Sequence, residues 1–173
     1  AAGEQLAADA LYFASLGYRV LLPDLRGHGR SGKPAALTEA AFSIPLMAGD
    51  LVAMLDHSGV GPVHWVGNSL GGILALHLLQ AHADRLRTLA TFGTAYRLSL
   101  PHWAAGFIPL SYLLLGKGAS GTLTARATTR NEAARPLIAR LIADFDPEVG
   151  RLVAGNLTGY DLIANARSAA LPI

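Results

Sequence analysis

Apolar positions in this chain alternate between two rhythms. Leu6, Ala10, Phe13 and Ala14 recur at helical spacing, which predicts an opening amphipathic helix capped at its C-terminal end by Gly17. Tyr18-Arg19-Val20-Leu21-Leu22 then forms a short, nearly unbroken apolar run closed by Pro23 and Asp24, as expected of a strand covered on both faces. Residues 25–34 are rich in glycine and charge and read as a loop. A second helix is expected from Ile44 to His57, with Met47, Leu51, Met54 and Leu55 inward and Gly59 as its stop. Val63 to Val66 reads as another strand, which turns at Gly67 into a helix from Leu70 to about His82. That helix is apolar nearly all round, so it should be buried rather than laid on a surface. Arg87 to Phe92 completes the series as a third strand. Helix and strand in alternation predict an α/β fold with a parallel sheet and helical crossovers.

After Gly93 the pattern changes. Residues 94–170 carry helical periodicity and no convincing strand, and are expected to form an all-helical insertion over the sheet. Leu137, Ile138, Leu141, Ile142 and Phe145 mark one helix of that block, and Asp146-Pro147-Glu148 reads as the N-cap of another. Leu171-Pro172-Ile173 resembles the start of a further core strand, and the chain opens on Ala1 rather than Met. We therefore expect an internal piece of a longer protein, with residues 1–93 as partial core, 94–170 as helical cap and 171–173 as the next core strand.

Composition narrows the chemistry. Hydrophobic residues make up 51% of the 173 and charged residues 15%, which excludes intrinsic disorder. Fourteen Lys and Arg against twelve Asp and Glu leave a net charge of +2 with no basic cluster, so nucleic acid is not an expected partner. The absence of cysteine excludes a disulfide scaffold, a thiolate nucleophile and thiolate metal sites. No metal or cofactor motif is present, and none is expected. The longest apolar stretch, Leu100 to Leu115, is broken by Pro101, His102 and Pro109 and makes a poor membrane span. A cytoplasmic location is the expectation, and nothing in the pattern sets an oligomeric state.

The informative segment is VHWVGNSLGG, residues 63–72. It places G-x-S-x-G, as Gly67-Asn68-Ser69-Leu70-Gly71, between an apolar strand and a long helix. A serine on a sharp strand-to-helix turn has its hydroxyl raised above the sheet, where a base and a substrate carbonyl can reach it. Small residues at Gly67, Gly71 and Gly72 permit the close approach of helix to strand. The helix start aims unpaired N–H groups at the spot where an oxyanion would form, and the Leu70 N–H is the expected donor. A phosphate-cradling turn is the alternative for such a glycine-rich segment. It is disfavoured because no G-x-x-x-x-G-K-S/T, no nearby Lys and no G-x-G-x-x-G accompanies it.

A second motif makes the resemblance specific. Asp24-Leu25-Arg26-Gly27-His28-Gly29-Arg30-Ser31 is similar to the D-x-R-G-x-G-x-S loop of the α/β-hydrolase superfamily, and it precedes GNSLGG at that superfamily's separation. The resemblance covers the whole chain. It implies that Ser69 attacks an acyl carbon while a histidine takes its proton and an acid orients the histidine. It also implies departures. The second oxyanion donor belongs to a loop that would precede Ala1, and the triad acid and base belong to loops that would follow Ile173. Phe92-Gly93-Thr94-Ala95-Tyr96 supplies no carboxylate in the place where some relatives carry the acid.

No histidine within the chain substitutes convincingly as base. His77 is about 12 Å along the helix from Ser69, and His64 is about 16 Å back along the strand. His57 belongs to the opposite end of the sheet, His28 reads as a hydrogen-bonded loop residue, and Asp24 and Arg26 read as structural. His102, Trp103 and Phe107, with Ile108, Leu110, Tyr112, Leu113 and Leu114, form an apolar and aromatic patch. It is read either as packing among cap helices or as a greasy substrate pocket. The expected activity is hydrolysis of a carboxylic ester of an apolar acid through a Ser69 acyl-enzyme. Carbon–carbon bond hydrolysis, cofactor-free haloperoxidation, acyl transfer and a non-catalytic fragment are the alternatives. Haloalkane dehalogenases and epoxide hydrolases resemble this fold but carry Asp where this chain has Ser69.

Overall fold

A computed structural model describes residues 3–173, the side chain of Ile108 excepted. Ala1 and Ala2, the first residues of the expected opening helix, lie outside the described residues. The chain divides into two compact units, one of Ala1–Leu37 with Ala105–Leu152 and the other of Thr38–Ala104 with Val153–Ile173.

The second unit holds the sheet. β1 (Val63–Asn68) pairs in parallel with β2 (Leu86–Phe92), Trp65 facing Leu89 and Asn68 facing Phe92 across the ladder. A parallel pair needs a crossover, and α3 (Leu70–Leu78) provides it, entered directly from β1 through Ser69. The α3 run LGGILALHL buries Leu70, Ile73, Leu74, Ala75, Leu76 and Leu78, so the helix lies within the core as its all-round apolar pattern requires. α2 (Ile44–His57) packs against α3 and buries Met47, Leu51 and Leu55 at helical spacing. Phe42, Met47, Leu74 and Leu76 are the fully enclosed centre of the unit. α7 (Ile163–Ser168) joins the same layer, where the Asn165 side-chain amide donates to the Leu76 carbonyl at 3.1 Å. The Leu89 N–H donates to the Pro172 carbonyl at 2.9 Å, which brings the last residues of the chain beside β2.

Two strand expectations are corrected. Tyr18–Leu22 is in no ladder among the described residues. Apolar character makes a run suitable for a sheet, but only backbone pairing makes it a strand, and Tyr18 and Leu22 remain exposed. Conversely, strands do occur after Gly93. β3 (Arg97–Ser99) and β4 (Gly159–Asp161) form a three-residue antiparallel ribbon, with an Arg97–Asp161 ion pair at 3.5 Å. Leu162 N–H to Tyr96 O (2.8 Å) and Leu100 N–H to Thr158 O (2.7 Å) extend it at either end. Elements this short carry no readable period-two pattern.

In the first unit, α1 (Ala7–Ser15) ends at Gly17, whose φ of +88° is the left-handed cap expected there. α4 (Phe107–Thr128) kinks at Gly116, and Ser120 Oγ donates across the break to the Ser111 carbonyl at 2.9 Å. α5 (Arg135–Ala143) packs on α4 so closely that a Cβ on Gly121 would stand 2.3 Å from the Ala139 carbonyl oxygen. α6 (Pro147–Asn156) begins as its sequence predicts, Asp146 Oδ1 accepting from the Glu148 N–H at 2.8 Å. No helix among the described residues is long and apolar enough to cross a membrane.

Candidate active site

Ser69 sits at the junction of β1 and α3 with φ +48° and ψ −112°, and is the one described non-glycine residue with positive φ. An L-residue in that region carries strain of order 1–3 kcal/mol, sustained only where the surroundings over-determine it. The surroundings here are specific. The Ser69 N–H donates to the Phe92 carbonyl at the end of β2 (3.0 Å), and the Ser69 carbonyl accepts from the N–H groups of Gly72 and Ile73 (both 3.0 Å). The two peptide groups flanking the residue are thereby tied to β2 and to α3 respectively.

Two of the three sequence-predicted glycines hold the turn closed, whereas a Cβ on Gly71 would meet nothing within 4 Å. A Cβ on Gly67 would stand 2.6 Å from the Gly72 nitrogen and 2.7 Å from the Gly71 carbonyl, contacts that only backbone movement could relieve. A Cβ on Gly72 would meet the Thr94 side chain, 2.3 Å from Oγ1 and 2.9 Å from Cγ2. The Asn68 amide oxygen lies beside Gly93, and the Trp65 indole N–H crosses from β1 to donate to the Gly71 carbonyl at 3.2 Å. The Ser69 side chain itself is exposed, and among the described residues its hydroxyl has no hydrogen-bond partner. Leu70 and Gly71 stand ahead of the first intrahelical bond, which Gly72 makes, so their N–H groups point out of the helix start.

His102 and Trp103 belong to the same unit as Ser69, whereas Phe107 belongs to the other. Trp103 and Phe107 are both largely exposed, and the Ile108 side chain lies outside the described residues. His102 Nε2 lies 3.1 Å from Glu39 Oε1, while its Nδ1 lies 3.4 Å from Thr158 Oγ1. The Asn156 side chain reaches the Glu39 carbonyl at 2.9 Å and completes that cluster. No local pattern signals that cluster, because residues 39, 102 and 156–158 meet only through the fold. Thr94 was likewise missed. Its hydroxyl lies 3.2 Å from the Ser69 carbonyl and 3.1 Å from the Phe92 carbonyl, both within donor range.

Of the other histidines, His64 Nδ1 pairs with Thr88 Oγ1 at 2.9 Å, and burial, aided by His82, pushes His77 below its ordinary value. No histidine hydrogen-bonds the Ser69 hydroxyl among the described residues.

In the first unit the loop after Asp24 is a tied structure. Asp24 accepts from the Gly3 N–H (2.7 Å) and the Arg30 N–H (2.9 Å), and Ser31 Oγ donates to its backbone carbonyl (2.7 Å). Burial alone would raise the Asp24 carboxyl, but those donors and the Arg30 charge outweigh it and hold the group below its ordinary value. His28 is buried against Phe145, the rings stacked at 4.6 Å, with Nδ1 2.9 Å from the Arg26 carbonyl. Burial above all pushes its pKa down to about 4, so His28 is neutral at neutral pH.

A strand–Ser turn–helix of this geometry on a parallel sheet is the mark of one class of fold, and the chain belongs to it: the alpha/beta hydrolase fold family, whose model matches residues 4–154. In sequence the chain is similar to epoxide hydrolase A of Mycobacterium tuberculosis (39% identity over 44% of this chain and 23% of that protein). It is also similar to lipase LipV of the same organism (42%, over 46% and 28%). A third relative is the putative carbamate hydrolase RutD of Pseudomonas syringae (35%, over 69% and 45%). The chain thus spans less than half the length of these relatives. In structure it matches an esterase from Exiguobacterium antarcticum at a TM-score of 0.82 and 18% identity, covering 99% of this chain and 67% of that one. It matches an enol-lactonase from Burkholderia xenovorans at 0.79 and 24%, covering 99% and 67%.

Proposed function

We propose that the protein containing this chain is a serine hydrolase that cleaves a carboxylic ester through an acyl-enzyme on Ser69. The observation that carries this reading is the strained backbone of Ser69, φ +48° and ψ −112°, at the turn from β1 into α3. Strain of this kind is kept where it raises a hydroxyl clear of the chain. The Ser69 Oγ attacks the ester carbonyl carbon as its proton passes to a general base. The tetrahedral oxyanion takes a hydrogen bond from the Leu70 N–H at the positive end of α3. Collapse expels the alcohol, water attacks the acyl-enzyme, and the acid leaves with Ser69 regenerated. Base, orienting acid and second oxyanion donor fall to the part of the relatives' length that this chain does not span.

Relatives named as epoxide hydrolases do not redirect this reading. The resemblance drawn from the sequence implies a carboxylate nucleophile for that reaction, and the turn here carries a hydroxyl. Reaction of the whole protein with a fluorophosphonate probe tests the assignment. Covalent labelling that disappears in Ser69→Ala is the expected result. A folded whole protein that resists the probe would overturn it in favour of a non-catalytic binding role.

A further inference from the structure

We infer that Thr94 is a positioning residue for Ser69, holding the serine's carbonyl so that the hydroxyl is presented at a fixed angle. The inference rests on Ser69 being the nucleophile. The strain at Ser69 lies in two dihedrals, and each needs a restraint. The first is explained by the turn itself, since the Ser69 N–H is anchored on the Phe92 carbonyl at 3.0 Å. The second, the ψ of −112°, sets where the Ser69 carbonyl points; that carbonyl accepts from the Gly72 and Ile73 N–H groups on the helix side, and Thr94 adds a restraint from the β2 side. Its Oγ1 lies 3.2 Å from the Ser69 oxygen and 3.1 Å from the Phe92 oxygen, so one hydroxyl proton is shared between the carbonyls that bracket the turn.

The side chain is also held in place. Its Oγ1 and Cγ2 occupy the space directly over Gly72, where any Cβ would collide with them. Thr94 thus touches the turn twice, by a hydrogen bond to the Ser69 carbonyl and by packing on Gly72. Both contacts are made to the backbone of the turn, so the role is orientation. The hydroxyl supplies the restraint and the methyl supplies the location, which separates the two by substitution. Thr94→Val keeps the shape and removes the donor. Thr94→Ser keeps the donor and removes the methyl.

The test is the kinetics of fluorophosphonate labelling of the whole protein, resolved into the maximal inactivation rate and the half-saturating probe concentration. Thr94→Val is expected to lower the maximal rate about tenfold with half-saturation unchanged, the loss of one hydrogen bond that orients the attacking group. Thr94→Ser is expected to stay within about twofold of the parent. Should Thr94→Val fail to fold, Thr94→Ala makes the same comparison against Thr94→Ser. A parent-like rate in Thr94→Val overturns the inference, as does an equal loss in Thr94→Ser, which would assign the effect to packing. A parent protein that is not labelled at all brings down the Ser69 assignment and this inference with it. A labelled parent with an unlabelled Ser69→Ala keeps the assignment standing whatever the Thr94 variants do.

Discussion

The strain at Ser69 can be measured by comparing two substitutions that both remove its hydroxyl. Ser69→Ala retains a Cβ at φ +48°, whereas Ser69→Gly does not. The hydroxyl has no partner among the described residues and the side chain is exposed, so its deletion costs little in either variant. What differs is the backbone. Relief of the left-handed conformation is worth about 1–3 kcal/mol to the glycine variant. Against it stands the extra freedom of an unfolded glycine, about 0.5–1 kcal/mol. The difference should leave Ser69→Gly about 1 kcal/mol more stable than Ser69→Ala, or about 2–4 °C in melting temperature for a domain of this size. Circular dichroism melts of the two variants, with urea titrations beside them, give the comparison directly. Both should be unreactive toward the probe, so stability and activity part company at this position. An alanine variant as stable as the glycine one, or more so, would mean that the turn is not strained, and the observation that carries the proposed function would be lost.

Other outcomes follow from the same geometry. Gly72→Ala places a methyl against Thr94 and should destabilise by about 1–3 kcal/mol. Adding Thr94→Ala removes the two nearest obstructing atoms, so the double variant should recover part of that loss in the same urea titration. His28 is held neutral by burial, its pKa pushed down to about 4 from 6.5, so the unfolded chain binds the proton more tightly than the folded one. Its contribution is therefore favourable above pH 6.5 and is lost as pH falls toward 4, a change of up to about 3 kcal/mol by proton linkage. His28→Gln should flatten the slope of stability against pH in that window, and an unchanged slope would show that the ring is not the group titrating.

The elements that could be read from the chain were those with many repeated positions. α2 runs from Ile44 to His57 as its apolar spacing predicts, and β2 begins at Leu86, one residue before the expected Arg87. The turn at Ser69 was legible because two of its glycines are required by contact: no Cβ fits at Gly67 or Gly72, although one would fit at Gly71. What escaped was information held in pairing rather than in pattern. Tyr18–Leu22 has a strand's composition without a strand's partner, while Arg97–Ser99 has a partner but only three residues of pattern. Thr94 was passed over because the expected signal after the strand was a carboxylate. Its hydroxyl matters through a carbonyl twenty-five residues earlier in the chain.

The ribbon of β3 and β4 has a consequence for how this protein could change. Arg97 and Asp161 are ladder partners, so the two ends of the stretch from Leu100 to Thr158 are held side by side, and only residues 105–152 within it belong to the other unit. A segment tethered in this way can lengthen or shorten in its loops without asking either strand of the ribbon to shift. Doubling the length of a flexible loop between fixed ends costs only about 0.6 kcal/mol in closure entropy. The loops that join the intervening helices can therefore change length while the turn that carries Ser69 stays as it is.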